Sequence, residues 1–147
     1  CICGVSVLVA HGLTPLGCAF VVARQWLDDK ELVPSRAYRP VLVLVSDGEP
    51  TDDWQEPLAA LKASERGQKA TRFAMAIGAD ADRAMLRQFT NDLEAPVFEA
   101  DGVRDIVKFF RAVTMSVMAR STSGSPNTAQ PLGMSADLED DLDLDAL

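Results

Sequence analysis

Val41-Leu42-Val43-Leu44-Val45 is a run of five β-prone apolar residues with no polar interruption, and it passes directly into Ser46-Asp47-Gly48-Glu49-Pro50-Thr51-Asp52. An unbroken apolar run predicts a strand buried on both faces, in the middle of a parallel sheet. Phe73-Ala74-Met75-Ala76-Ile77-Gly78 predicts a second strand, small and apolar throughout. Pro96-Val97-Phe98-Glu99-Ala100 predicts a third, shorter and less apolar, nearer a sheet edge. Val5-Ser6-Val7-Leu8-Val9-Ala10 reads as a further strand standing alone at the start.

Between these runs the apolar spacing changes from strand to helix. Gly12-Leu13-Thr14-Pro15-Leu16-Gly17 reads as a loop turning into a helix, with Thr14 at the N-cap and Pro15 at the first helical position. That helix should run to about Leu32, burying Leu16, Phe20, Val21, Ala23, Trp26 and Leu27, and end before Pro34. A second is predicted from Trp54 to Arg66, with Leu58, Ala60 and Leu61 apolar and Gly67 as its stop. Asp80 is placed to cap a third near 81–92, where Met85, Leu86, Phe89 and Leu93 fall at helical spacing. Asp101 is placed to cap the last, about 103–119, with Ile106, Val107, Phe110, Val113, Met115 and Val117 apolar. Phe109-Phe110 and the Met115–Met118 region read as core spacing. Strands alternating with helices predict an α/β fold, a doubly wound, mostly parallel sheet with helices on both faces.

Composition narrows the class. The 147 residues suit one domain, and 48% hydrophobic with 24% charged residues suits a soluble globular chain. No apolar run approaches the roughly 18 residues of a membrane span, so no membrane segment is expected. The chain opens at Cys1 without the layout of a signal peptide, and the opening reads as a cut edge. The net charge of −8 is uneven: from Ser121 onward there are six acids (Asp137, Glu139, Asp140, Asp141, Asp143, Asp145) and no Lys or Arg. The remainder carries 14 basic and 16 acidic residues, which gives no electrostatic case for nucleic acid. Cys1, Cys3 and Cys18 lack zinc-type pairing and read as reduced thiols of a cytoplasmic protein. Residues 1–120 therefore read as the domain and 121–147 as a disordered acidic tail, with Leu138, Leu142 and Leu144 leaving open a short partner-binding helix.

In open α/β sheets, ligands bind beyond the carboxyl ends of the strands, which places Asp47 and the oxygen-rich loop after it at the expected site. Hard-oxygen metal binding is the chemistry such a loop suggests. On the residues alone, Thr14 can equally be a helix cap and Asp47 a turn-stabilising side chain. His11, the one histidine, has no Ser or Cys pattern around it and reads as a loop residue.

Together, Leu44-Val45-Ser46-Asp47-Gly48-Glu49-Pro50-Thr51-Asp52 and Gly12-Leu13-Thr14-Pro15-Leu16-Gly17 resemble the von Willebrand factor type A domain. They look most like its bacterial intracellular branch, the TerY-like proteins of tellurium-resistance and stress gene clusters. The resemblance covers about residues 11–120 and implies a Rossmann-like fold. It also implies a metal-ion-dependent adhesion site, in which Thr14 offers a hydroxyl and Asp47 a carboxylate to Mg²⁺ or Mn²⁺. The family's Asp-x-Ser-x-Ser motif, which supplies most of the ligands, does not occur in these 147 residues. The simplest expectation is the C-terminal portion of a longer domain, N-terminal strands missing, with weak metal binding unless that segment is supplied.

The resemblance implies a non-enzymatic protein-interaction module, whose partner completes the metal shell with an acidic side chain. Glu49, Asp52 and Trp54 lie near enough in sequence to shape the rim as partner contacts. One alternative is a Mg²⁺-dependent phosphoryl-transfer enzyme fragment, but no Lys-bearing glycine-rich phosphate loop and no Ser/His/Asp set is visible. The other is a metal-free scaffold acting through its acidic tail.

Overall fold

The strands at 41–46 and 71–77 have two apolar faces, and helices cover both. The computed structural model describes residues 13–34, 39–91 and 97–122. In chain order they form α1 (Leu16–Asp28), β1 (Val41–Ser46), α2 (Gln55–Ala63), α3 (Glu65–Lys69), β2 (Thr71–Ile77), α4 (Arg83–Phe89), β3 (Phe98–Ala100) and α5 (Val103–Thr122). The predicted strand at 5–10, together with Cys1, Cys3, His11 and the tail beyond Thr122, lies outside the described residues. Residues 121 and 122 belong to α5, so the helix runs further than the 103–119 expected.

The three described strands are parallel, in the order β1-β2-β3. Val41 through Ser46 stand opposite Thr71 through Ala76, and Met75 to Ile77 opposite Phe98 to Ala100. The α/β class, with a parallel sheet between helices, is as the alternation predicts. Among the described residues, however, β2 rather than β1 is the central strand. Val41–Val45 are half-buried, whereas Ala74, Met75 and Ala76 are fully buried. The reason is that an apolar run reports cover on a strand's two faces, not hydrogen-bonded neighbours at its two edges.

Alternate residues separate into two cores, as the pleat requires. On one face Leu42, Leu44, Ala74 and Ala76 meet Leu16, Phe20 and Leu27 of α1, Leu58 and Leu61 of α2, and Met85, Leu86 and Phe89 of α4. Phe20 stacks on Phe89 with ring centroids 5.7 Å apart, joining α1 to α4. On the other face Val41, Val43, Val45, Phe73, Met75, Ile77 and Phe98 meet Ile106, Phe109 and Val113 of α5. Phe98 and Phe109 lie 5.0 Å apart there.

Several boundaries differ from expectation. α1 ends at Asp28, not Leu32, where the Asp29 carboxylate accepts from the Glu31 N–H at 2.8 Å and turns the chain. Val21 and Trp26 face outward, at 44% and 38% exposure, because the core-facing stripe of α1 is Leu16, Gly17, Phe20, Ala23 and Leu27. The expected single helix 54–66 is two, broken at Ser64. Its hydroxyl donates to the Leu61 carbonyl (2.9 Å) and accepts from the Gly67 N–H (3.1 Å), capping α3. Gly67 is not a stop but sits inside α3, where a β-carbon would meet the Leu61 carbonyl oxygen at 1.8 Å. On α5 the buried residues are Phe109, Ala112 and Val113; Phe110, Met115 and Val117 are exposed, so the Met115–Met118 stretch is surface rather than core.

Arg72 is buried at the start of β2 and makes no ion pair among the described residues. Its Nε donates to the Phe89 carbonyl and an Nη to the Gly67 carbonyl, both at 2.8 Å. Burial lowers its pKa from the ordinary arginine value. The Asn91 amide ties the same corner, donating to the Ala70 carbonyl (2.8 Å) and accepting from the Arg72 N–H. The guanidinium thus bonds the Phe89 carbonyl at the end of α4 and is a second donor to the Gly67 carbonyl, which also accepts from the Ala70 N–H at 3.2 Å. Replacing Arg72 with Met should lower unfolding free energy by about 2–3 kcal/mol, since two carbonyls lose a charged donor. Urea denaturation checks this; a change within about 0.5 kcal/mol would mean the carbonyls find other donors.

Candidate metal site at the carboxyl end of the sheet

β1 ends in a turn built from its own side chains. The buried Ser46 hydroxyl donates to the Gly48 carbonyl at 3.1 Å, folding the chain back and leaving the Asp47 side chain exposed. The loop then runs to Asp52, whose carboxylate accepts from two backbone N–H groups at the start of α1: Gly17 to Oδ1 at 2.8 Å and Cys18 to Oδ2 at 3.1 Å. These are orphan donors of the first helical turn, normally satisfied by a neighbouring cap residue. Here the cap comes from 34 and 35 positions away.

This corrects the expectation for Thr14. α1 begins at Leu16 with Pro15 at the cap position and no capping side chain of its own. The Thr14 carbonyl accepts from the Leu16 N–H (2.8 Å) and, across the loops, from the Thr51 N–H (3.0 Å). The two sequence motifs are therefore stitched twice, through Thr51 to Thr14 and through Asp52 to Gly17 and Cys18. Gly17 makes the approach possible: a β-carbon there would stand 2.2 Å from the Asp53 carbonyl oxygen and 3.0 Å from Asp52 Oδ2.

A third loop closes on the same end. Gly78 leaves β2 with φ +71°, a conformation side-chain-bearing residues rarely adopt. The Asp82 N–H donates to the Gly48 carbonyl at 3.4 Å. Asp82, not Asp80, caps α4, which spans 83–89 rather than 81–92; its carboxylate accepts from the Met85 N–H at 3.0 Å. Arg83 holds this loop to β3 by a two-pronged pair with Glu99 (2.9 and 2.7 Å) and bonds to the Gly78, Ala79 and Ala81 carbonyls at 3.0–3.2 Å. The hydrogen bond with Glu99 raises the Arg83 pKa. At the next loop the expected side-chain cap from Asp101 is reversed: its N–H donates to the Asp105 carboxylate at 3.1 Å.

Sequence reasoning missed Asp52 as a cap and the Arg83–Glu99 pair. An acid 34 and 35 positions after the N–H groups it caps has no short-range signature, and Arg83 and Glu99 are 16 apart. Burial would raise the Asp52 carboxyl, but the bonds from Gly17 and Cys18 outweigh it and hold its pKa below the ordinary value. Asp47 and Glu49 are exposed, Thr14 is half-buried, and Trp54 is half-buried against the α1–α2 core.

Among the described residues no three His, Cys, Asp or Glu side chains gather to hold a metal. Magnesium requires six oxygens in near-octahedral array. The Thr14 hydroxyl and Asp47 carboxylate are two candidates, and the Asp52 carboxylate is engaged with α1. The described donor set alone does not fit a tight site.

The family model of the von Willebrand factor type A domain matches residues 7–112. The chain belongs to the von Willebrand factor type A family. Its members are generally protein-interaction modules that commonly bind a divalent metal. No curated protein and no solved structure matches the chain. Among the described residues no helix is long and apolar enough to cross a membrane.

In this A domain, Asp52 makes the joint between loops sensitive to acid. Because its folded pKa is depressed, the stability it contributes is present above the unfolded value of about 3.9. It is lost as pH falls through the lower folded value. Asp52→Asn should cost about 1 kcal/mol at neutral pH and nothing once pH is below the folded pKa. Thermal denaturation of both proteins across pH reads this difference; a constant gap at all pH values would contradict it. Gly17→Ala should be worse than Asp52→Asn at neutral pH, by on the order of 1 kcal/mol or more, because overlap with backbone cannot relax without parting the loops. Equal stability in the same measurement would contradict the close approach.

Proposed function

We propose that this A domain is a non-enzymatic protein-interaction module. Its contact surface is the end of the sheet where the Thr14, Asp47–Asp53 and Gly78–Asp82 loops meet. The observation supporting this reading is the double joint between the two motif loops, Thr51 to Thr14 and Asp52 to Gly17 and Cys18. It places the Thr14 and Asp47 loops side by side at the edge where α/β proteins bind ligands.

In this reading Thr14 and Asp47 are the chain's contribution to a Mg²⁺ or Mn²⁺ site, and other oxygens complete the shell. A bound ion would supply a Lewis-acidic centre for an acidic side chain of the partner protein. Asp47 holds negative charge at the exposed turn, Asp52 positions the loop, and Glu49 and Trp54 form the rim. The likeness of the two motifs to the TerY-like branch supports a place in a bacterial cytoplasmic stress or tellurium-resistance system.

Titration of the full chain with Mn²⁺, followed by electron paramagnetic resonance, tests the assignment. Binding should be weak, and Asp47→Ala and Thr14→Val should each weaken it by at least about tenfold, as losses around metal sites typically do. Glu49→Gln should leave it within about twofold. Binding unaffected by both Asp47→Ala and Thr14→Val would refute Thr14 and Asp47 as ligands.

A further inference from the structure

α5 covers one face of the sheet with one side and leaves the other side unusually apolar. Of the nine large hydrophobic residues exposed among the described residues, five lie on it: Val103, Phe110, Met115, Val117 and Met118. The inner side is taken by Ile106, Phe109 and Val113. Arg104, Arg111, Met115 and Met118 recur at spacings of seven, four and three, which places them along one outward stripe. Arg104 and Arg111 are exposed and make no ion pair among the described residues. Lys108, half-buried, adds a third positive charge beside them. The surface is therefore apolar and basic at once.

One segment of this chain has the complementary chemistry. Residues 137–147 read Asp-Leu-Glu-Asp-Asp-Leu-Asp-Leu-Asp-Ala-Leu, with six acids, four leucines and no base. Its acids are chemically suited to Arg104 and Arg111, and its leucines to Met115 and Met118, which follow the arginines along the same stripe. Reach is sufficient. A random coil the length of residues 123–136 would span roughly 20 Å root-mean-square, and the 20-residue α5 is about 30 Å long. A tether of that length also gives the segment an effective concentration on the order of millimolar, above that of a free competitor.

We propose that residues 137–147 dock in cis on the outward stripe of α5. The leucines cover Met115 and Met118, and the acids face Arg104 and Arg111. This docking does not depend on the metal-site reading, since α5 covers the sheet face through Phe109 and Val113 while the Thr14 and Asp47 loops lie at the strand ends.

Backbone amide hydrogen exchange on the full chain, at low and high ionic strength, tests the proposal. At low ionic strength the amides of Leu138–Leu144 should be protected by about tenfold or more over a random coil. Raising salt or introducing Arg104→Glu with Arg111→Glu should abolish that protection, while the amides of Ala112 and Val113 stay protected and report an intact fold. Leu138→Ser with Leu142→Ser should abolish it as well, from the other partner. Absent protection in the unaltered chain, protection that survives the arginine reversals, or protection that disappears on dilution would each overturn the proposal, the last by showing that a second copy supplies the segment.

Discussion

The carboxylate of Asp52 on the first turn of α1 is the contact on which the arrangement of the sheet's ligand-binding end depends. A helix start leaves its first N–H groups unpaired and carries partial positive charge. In this chain Pro15 occupies the cap position and cannot supply a capping side chain. The deficit is met by an acid on the loop after β1, and meeting it draws that loop onto α1. Gly17 is then required for closeness of approach, and Thr51 completes the joint through the Thr14 carbonyl. A local need of one helix thus fixes the relation between two motifs that sequence reading joins only by family likeness.

The two faces of the sheet are covered unequally. Among the described residues α1, α2 and α4 share one core, whereas α5 alone covers the other. Val41–Val45 are half-buried on both faces, which fits β1 lying at the edge of the described sheet. The exposed apolar residues of α5 are a separate matter, since they lie on the side turned from the sheet. Their grouping with arginines gives the surface a chemistry that the acidic segment of the same chain matches.

Much of the fold was legible because apolar periodicity is a local signal. The runs at Val41–Val45 and Phe73–Ile77 become β1 and β2, Met85, Leu86 and Phe89 bury as α4, and the alternation of elements gives the parallel sheet. What was not legible involves partners distant in sequence or competing local bonds. Ser64 breaks a pattern that looks continuously helical because its hydroxyl bonds backbone on both sides. Asp52 looked like a rim residue because nothing local links it to Gly17. Met115 and Val117 have helical spacing, but spacing alone does not say where the buried stripe ends. At the candidate site, the placement of Asp47 on an exposed turn followed from the strand-to-glycine transition, while the joint of Thr51 to Thr14 and of Asp52 to Gly17 and Cys18 did not.

The joint itself is best read by nuclear magnetic resonance, following the Gly17 and Cys18 amides through an acid titration of the full chain. Both amides should shift together, with one midpoint below the ordinary aspartate value, as the Asp52 carboxylate takes up its proton. Amides that do not titrate, or that follow two unrelated midpoints, would show that Asp52 does not cap α1 and that the two loops are held together by something else.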